Sequence, residues 1–429
     1  MKPIEPITWE SASWLTRTAA SKPGQVLILV LAAILMQPAF GYYGAFIALA
    51  VMAAGNLPAR RRYILSGIAI VIFLTGAIVG TRDLKSAKWV ISALLCFLCV
   101  QWLFAQAIPH LSESLRHHSV SLFHALMIAF LGVVWLLRFR AVISLDLAMS
   151  LALLATELLW RGSYWVRWQV RENGKGEFFP NLFALIPFLG RGGIPYGKGP
   201  DFFTRYEAVD RGQLAISRLK GIHYLALALA WSTFSGVMLS VFSSVPGQWV
   251  PGLISNPLPI TGYSILPNMY ELFQDPSLLA LWKRWGGLLE ELMRIVLLIA
   301  VTGHRVIALY CLAGFAIPRN TNNPFLANSL VDFWARYWFY FKEVLMDFFF
   351  FPAYLRLHKL SLIPRTLVAA TAAALVGNFY FHLFVYAPEL MKPPWRRFPR
   401  PALHAPHLLR RSRRRRLLVL YLPPPPQRR

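Results

Sequence analysis

Cysteine is scarce in this chain, with three among 429 residues. Two of them, Cys96 and Cys99, form a CxxC motif inside the apolar run WVISALLCFLCVQWLF. A redox CxxC is expected at a strand-to-helix turn, so a helix interior argues against redox or metal chemistry. Three cysteines also provide no disulfide framework. The N-terminal sequence MKPIEPITWESASW lacks the immediate apolar core of a secretory signal peptide.

Acidic side chains are also few, with 19 Asp and Glu against 44 Lys and Arg and a net charge of +25. Charged residues of both signs make up 15% of the chain and hydrophobic residues 56%. With a mean hydropathy of +0.48, the composition is too apolar for a soluble globular protein of this length. A basic excess is compatible with nucleic-acid binding, but a membrane-embedded body favours anionic lipid. We therefore expect membrane lipids and no nucleic acid among the partners.

Several apolar runs approach the length that a helix needs to cross a bilayer. These runs are continuous and do not alternate, which argues against a transmembrane β-barrel. The sequence predicts an all-α, polytopic integral membrane protein with roughly eight to ten membrane helices plus re-entrant or interfacial helices. We assign residues 1–24 to an N-terminal interfacial segment and 25–387 to the membrane domain. The region 25–57, interrupted by Pro38, is predicted to form two short helices or one kinked helix.

A charged, aromatic block, RNTNNPFLANSLVDFWARYWFYFKEVLMDFFFFPAYLR, occupies residues 319–356 of this apolar chain. Its Asn-rich start and Pro324 predict a turn, and a helix is predicted from Asn328 onward. Asp332 and Arg336 have the i,i+4 spacing of an ion pair. Charges that face lipid are costly, so this helix is predicted to line a wet cavity or to lie at the membrane interface with an aromatic belt.

The acidic and basic residues of the block recur with spacings of four, seven and four, and they are Asp332, Arg336, Glu343 and Asp347. If the helix is continuous, this spacing keeps them near one face. Earlier in the chain, Asp146 and Glu157 lie in another apolar run, where we leave a functional and an interfacial position open. The histidines of a further cluster are interpreted as part of a loop with charged ends, and they are His110, His117, His118 and His124.

Three motifs of this chain resemble those of the membrane-bound O-acyltransferase (MBOAT) family, of the bacterial polysaccharide-acetylating and D-alanyl-transferring type. GFAIPRNTNNPFLANSLVDFWARYW resembles the family pattern G-F-x-L-P-x-N-x-x-x-P-F/Y followed by x-x-S-x-x-D-F-W-x-R-W-H. Upstream, EFFPNLFALIPFLGR and RLKGIHYLALALA are similar to two further motifs, in the same order. The family's second signature is a histidine in a later apolar helix, and VGNFYFHLF places His382 there. The resemblance covers residues 178–382.

The resemblance implies transfer of an acyl group from a thioester to a hydroxyl of an envelope polysaccharide or lipid. His382 would be the general base, and Asn378, one turn earlier, the donor to the oxyanion. The residues implied to shape a substrate tunnel are Asn320, Asn322, Pro324, Ser329, Asp332, Trp334, Arg336 and Trp338. The donor would be acyl-CoA or an acyl-carrier thioester, with no bound cofactor and no metal. A multi-pass protein of the inner (plasma) membrane is implied, with an envelope acyltransferase or esterase-like protein as a further partner.

The chain departs from the family pattern at several positions. Trp338 stands where the family has histidine, and Tyr337 replaces a tryptophan, which indicates a divergent branch or a member with reduced activity. Residues 388–429 form a Pro- and Arg-rich segment with no acid after Glu389. We interpret this tail as disordered or as the product of a frameshift that replaced the last membrane helices. The competing interpretation is a polybasic, lipid-binding tail.

Two other functional classes stay open. A secondary transporter or flippase would use the same intramembrane charges, with broken helices near Pro38 and Pro187. That class predicts inverted repeats, and the sequence shows no internal repeat. The second alternative is a non-catalytic assembly protein of an envelope polysaccharide system.

Overall fold

The structure of the protein, a computed structural model, describes residues 13–41, 43–81, 84–186, 193–242, 266 and 280–392. The described residues are about 83% helical and contain no strand. The predicted all-α class is therefore confirmed. The predicted basic tail lies outside the described residues from 393 onward, as does the start of the N-terminal segment up to 12.

The helices of the described residues follow one another along the chain in this order. They are α1 (Ser13–Ala20), α2 (Lys22–Phe40), α3 (Tyr43–Asn56), α4 (Arg61–Thr81), α5 (Leu84–Ala107), α6 (Glu113–His117), α7 (Ser119–Phe139), α8 (Leu145–Arg171), α9 (Leu182–Leu185), α10 (Pro200–Tyr206), α11 (Arg211–Phe242), α12 (Leu281–Leu312), α13 (Leu330–Tyr337), α14 (Phe339–Leu345), α15 (Phe351–Arg356), α16 (Leu362–Thr371), α17 (Asn378–Val385) and α18 (Ala387–Leu390). Two π-helical segments, Met346–Phe350 and Ala372–Gly377, precede α15 and α17.

Within the part of the chain that the structure describes, five helices are long and apolar enough to cross a membrane. These spans are Ala87–His110, Ser119–Phe139, Arg211–Met238, Leu281–Leu312 and Leu362–Val385. A sixth results if Trp14–Ala20 and Lys22–Pro38, which meet at an angle of 86°, count as one broken span. A multi-pass membrane protein agrees with these lengths and compositions, and the larger helix number stays a prediction.

The region around Pro38 forms two helices. Pro38 lies inside α2, and the break follows at Gly41, whose φ of 56° is in the left-handed region that favours glycine. At its other end, α2 begins after Ser21, whose side chain accepts a hydrogen bond from the Gly24 N–H at 3.1 Å. The helix therefore begins three residues before the predicted domain boundary at Gln25.

The chain divides into two compact units. The first comprises Met1–Leu65 and Asp201–Glu343, and the second Ser66–Pro200 and Val344–Arg429. In the first unit, α11 and α12 pack along each other. In the second, α8 is buried along most of its length and contacts α5, α7 and α18.

The two acids of the α8 region occupy different environments. Asp146 is exposed in the first turn, whereas Glu157 is buried with 7% of its surface exposed. The interfacial position that the sequence left open therefore fits Asp146, and the buried position fits Glu157.

The prediction of one long helix from Asn328 onward is wrong. Helix α13 ends at Tyr337, and Trp338 takes an extended conformation with φ −144° and ψ 74° before α14 begins. The helical rotation restarts there, so Asp332 and Asp347 do not share a face. The prediction failed because the loop preceding α13 supplies the hydrogen bonds that a continuous helix would have made.

Candidate functional site

The Asn-rich turn satisfies the backbone groups released by the break at Trp338. The Phe339 N–H donates to the Asn320 carbonyl at 2.9 Å, and the Asn322 N–H donates to the Arg336 carbonyl at 2.7 Å. Unpaired backbone groups are expensive inside a membrane protein, so a helix break needs such partners. The turn and the break are therefore one structural feature.

Side chains of the turn reinforce this contact. The Asn320 carboxamide accepts from the Tyr340 N–H at 3.3 Å, and the Thr321 hydroxyl donates to the Tyr337 carbonyl at 3.0 Å. The Tyr340 hydroxyl returns a hydrogen bond to the Pro318 carbonyl at 2.8 Å. Asn320 is 1% exposed, so these bonds form in the interior of the first unit.

The start of α13 is capped by its own first turn. The Ser329 hydroxyl accepts from the Asp332 N–H at 3.1 Å, and the Asp332 carboxylate accepts from the Asn328 N–H at 3.2 Å. Arg336 donates to both carboxylate oxygens of Asp332, at 2.8 and 2.9 Å. The predicted i,i+4 pair is therefore confirmed. Both side chains are 32% exposed, so they stabilise the helix start and are not buried charges.

The remaining tunnel residues of the turn and helix have different surroundings. Pro324 is buried at the start of a 3-10 turn, Pro324–Leu326. The residue before it, Asn323, is not one of the predicted tunnel residues and has a left-handed φ of 46°. Trp334 is 45% exposed. Trp338 is half-buried and its ring centroid lies 4.7 Å from that of Phe341. All eight predicted tunnel residues belong to the first unit.

Asp332→Asn should lower the thermal midpoint of the protein at pH 7. The Arg336 guanidinium, and then the Asn328 N–H, hold the pKa of Asp332 below its ordinary value of 3.8. A depressed folded-state pKa stabilises the fold above 3.8, and this stabilisation is lost as the pH falls through the lower folded-state pKa. The difference between the thermal midpoints of the two proteins in detergent should therefore persist down to about pH 4 and shrink as the pH falls below 3.8.

Asp146→Asn is the control for that comparison. Asp146 is exposed, and the structure assigns its side chain no ion pair among the described residues. The prediction is contradicted if Asp146→Asn lowers the thermal midpoint as much as Asp332→Asn does. It is also contradicted if the effect of Asp332→Asn on the thermal midpoint is unchanged at low pH.

The two predicted catalytic residues lie one turn apart on α17, in the second unit, as their spacing predicts. His382 and Asn378 are both half-buried. The His382 ring lies at the edge of the Phe381 ring and stacks on Tyr386 with centroids 6.1 Å apart. Neither His382 nor Asn378 makes a side-chain hydrogen bond to any residue that the structure describes.

His124, which the sequence placed in a loop, lies within α7 and is the centre of a hydrogen-bond network. Its Nδ1 is 2.9 Å from the Tyr380 hydroxyl and its Nε2 is 2.7 Å from the Ser163 hydroxyl. Ser163 also donates to the Leu159 carbonyl at 2.6 Å. Because a carbonyl can only accept, Ser163 donates its proton there and must itself accept from Nε2–H. Nε2 of His124 therefore carries a proton. In the neutral ring with its proton on Nε2, Nδ1 accepts from the Tyr380 hydroxyl. The apolar sequence SLFHALMIAF around it was the signal for a helix.

Two buried or half-buried ion pairs hold the Gly-rich loop of the second unit at both ends. Arg161 Nη1 is 3.2 Å from Glu157, whose other carboxylate oxygen accepts from the Gly193 N–H at 3.2 Å. At the far end, Lys198 Nζ lies 2.8 Å from Asp347.

Asp347 also accepts from the Tyr164 hydroxyl at 2.8 Å. It lies in the π-helical segment Met346–Phe350, a type of irregularity that occurs often at functional sites. The sequence gave no indication of these pairs, because their partners come from distant segments. Among the described residues, no group of three or more His, Cys, Asp or Glu side chains could hold a metal ion.

No protein-family model, curated protein or solved structure matches the chain. The chemistry of the site is therefore argued from its own residues.

The histidines of the apolar helices differ in how their ring nitrogens are used. Both nitrogens of His124 are hydrogen-bonded within the protein, as described above. His304 is 2% exposed, and its Nδ1 donates to the Ala300 carbonyl. A general base must accept a proton from a substrate that reaches it. His382 meets this requirement better than His124 or His304, since it is half-buried and has no hydrogen-bond partner among the described residues.

Proposed function

We propose that the protein is a membrane O-acyltransferase, which moves an acyl group from a thioester to a hydroxyl of an envelope polysaccharide or lipid. The observation that carries the proposal is His382, a half-buried histidine without a protein hydrogen bond in the described part, at the position implied by the family motifs. The donor is acyl-CoA or an acyl-carrier thioester. The proposal includes roughly eight to ten membrane helices and a location in the inner membrane.

In this reaction His382 accepts the proton of the acceptor hydroxyl as its oxygen attacks the thioester carbonyl. The carbonyl oxygen becomes an oxyanion, for which the Asn378 carboxamide is the nearest donor on the same helix face. Collapse of the tetrahedral intermediate breaks the carbon–sulfur bond. The thiolate leaves and takes up the proton that His382 holds, so the base is restored.

His382→Ala should reduce acyl transfer by about 100-fold or more, because a positioned general base contributes about 10²–10⁴ to the rate. The purified protein in lipid nanodiscs would be given acetyl-CoA and an envelope polysaccharide fraction. Thiol release and acetylation of the acceptor would both be measured.

His358→Ala is the matched control, since His358 is an exposed histidine of the same unit. Its activity should equal that of wild type. Wild-type thiol release and acceptor acetylation by a folded His382→Ala protein would reject the proposed function.

The buried Glu157–Arg161 pair favours a second candidate, a secondary transporter or flippase for an acidic or lipid-linked solute. Ionisable groups inside a membrane bundle often mark a solute pathway. That candidate predicts solute movement in proteoliposomes without thiol release, and it predicts that His382→Ala leaves this movement unchanged. A non-catalytic assembly protein predicts neither activity, and acylation by the partner envelope acyltransferase would then continue in His382→Ala cells.

A further inference from the structure

Helix α17 is held against the second unit through the face opposite to His382. Tyr380 and Phe384 are four residues apart, so they share one face. His382 lies two residues from each, about 200° around the helix axis from both. Asn378 has the same i,i+4 relation to His382 and shares its face. A rotation of the helix would therefore displace both catalytic candidates together.

Two hydrogen bonds anchor this opposite face, one on each side of His382 along the helix. The Tyr380 hydroxyl meets His124 Nδ1 at 2.9 Å. The Thr156 hydroxyl lies 3.0 Å from the Ala152 carbonyl of its own helix and 2.6 Å from the Phe384 carbonyl, which is the nearer acceptor of its proton. His124 comes from α7 and Thr156 from α8. The anchors thus connect α17 to two different helices of the same unit.

The His124 ring cannot turn freely to release its partner. It stacks on Tyr380 with an interplanar angle of 11° and meets Trp160 edge-on, with ring centroids 5.3 Å apart. Its Nε2–H is bonded to Ser163, which in turn donates to the Leu159 carbonyl. This chain of hydrogen bonds fixes the tautomer that presents Nδ1 to Tyr380.

The segment before α17 is irregular, so the two anchoring hydrogen bonds are needed to fix the rotation of α17. Ala372–Gly377 is π-helical, and a π turn inserts an extra residue that shifts the rotation of everything after it. A Cβ atom added at Gly377 would lie 2.8 Å from the Phe349 ring, so this close packing needs glycine. Since the helix phase is reset at Gly377, contacts beyond it must set the direction of His382.

We infer that His124 and Thr156 are positioning residues, which fix the rotation of α17 and thereby hold His382 and Asn378 toward the reacting groups. The inference rests on the proposed function. Neither residue touches the substrate in this scheme. Small displacements of a catalytic group can lower the rate about 10²-fold, so loss of an anchor should change catalysis more than it changes substrate binding.

Two near-isosteric variants of His124 separate its contacts. In His124→Asn the carboxamide oxygen can replace Nδ1 as the acceptor for Tyr380. In His124→Gln the longer side chain can replace the Nε2–H donor to Ser163, but it leaves Tyr380 without its acceptor. We expect His124→Asn to keep kcat within about threefold, and His124→Gln to lower kcat about tenfold or more with an unchanged KM for the thioester. A purely structural role predicts equal kcat values for the two folded variants and would overturn the inference.

Tyr380→Phe removes the other side of the same bond. It should lower kcat as His124→Gln does, and the double variant should be no slower than either single one, because all three lose one interaction. Thr156→Val breaks the second anchor. The fold-decrease in kcat that it causes should multiply with the one caused by Tyr380→Phe. Tyr63→Phe is the control, since Tyr63 is 55% exposed. If the fold-decreases in kcat of His124→Gln and Tyr380→Phe multiply in the double variant, the inference is contradicted.

A second measurement keeps this test independent of the proposed reaction. Diethyl pyrocarbonate modifies accessible neutral histidines, and mass spectrometry can quantify the modification at residue 382 alone. We expect the labelling rate of His382 to change at least about twofold in His124→Gln and Tyr380→Phe, and to stay at the wild-type value in His124→Asn and Tyr63→Phe. Unchanged labelling in every variant would overturn the positioning role. Inactivity of wild type together with the expected labelling pattern would reject only the proposed function.

Discussion

Arg161→Met should lower the free energy of unfolding by about 3–5 kcal/mol, since it removes the guanidinium that faces a buried carboxylate. Arg161 and Glu157 are each 7% exposed, and their charged groups lie 3.2 Å apart. Arg161 also donates to the Glu157 carbonyl at 2.9 Å. The other carboxylate oxygen of Glu157 accepts from the Gly193 N–H at 3.2 Å. Equilibrium unfolding in mixed micelles, followed by tryptophan fluorescence, measures the change.

The same helix provides the control for this prediction. Arg171 and Glu172 form a surface pair whose side chains are 58% and 47% exposed, and Arg171→Met should change stability by less than about 1 kcal/mol. Glu157→Gln combined with Arg161→Met should recover most of the loss, because a carboxamide keeps an acceptor for Gly193 without a buried charge. Equal stability of Arg161→Met and Arg171→Met would show that the buried pair contributes nothing specific.

Arg218→Met should destabilise the first unit by about 2–4 kcal/mol, because it leaves buried carbonyl groups without donors. The Arg218 side chain is 0% exposed. Its Nη2 donates to the Met52 carbonyl at 2.7 Å and to the Asn56 carboxamide at 2.9 Å, both in the last turn or two of α3. Its Nε approaches the carbonyl of Leu312, the last residue of α12, at 3.4 Å. A cation at two helix C-terminal ends also offsets their dipoles.

Arg211 is the matched control, an exposed arginine at the first residue of the same helix, α11. Arg211→Met should change stability by less than about 0.5 kcal/mol. Arg218→Lys should fall between the two, since an ammonium lacks the planar fork that reaches acceptors on two helices. The prediction is contradicted if Arg218→Met unfolds at the same denaturant concentration as Arg211→Met.

The sequence predicted features whose causes lie within a few residues. Continuous apolar runs indicated the all-α class, because a helix satisfies its own backbone groups wherever it is apolar enough to enter a membrane. The spacing of Asp332 and Arg336 indicated their ion pair, and the spacing of Asn378 and His382 indicated one helix face. Asn residues and Pro324 indicated the turn. In each case local geometry was sufficient, and the structure agrees.

Tertiary structure decided which groups meet from distant segments. The break at Trp338 depends on hydrogen bonds with Asn320 and Asn322. Sequence periodicity does not show that another segment will compete for the backbone groups of a helix. The hydrogen bonds of His124 depend on Ser163 and Tyr380, which lie on two other helices. Helical spacing determines which residues share a face, but packing determines what that face meets. The sequence predicted that His382 lies on a helix. The direction in which its side chain points is set by the packing of the second unit.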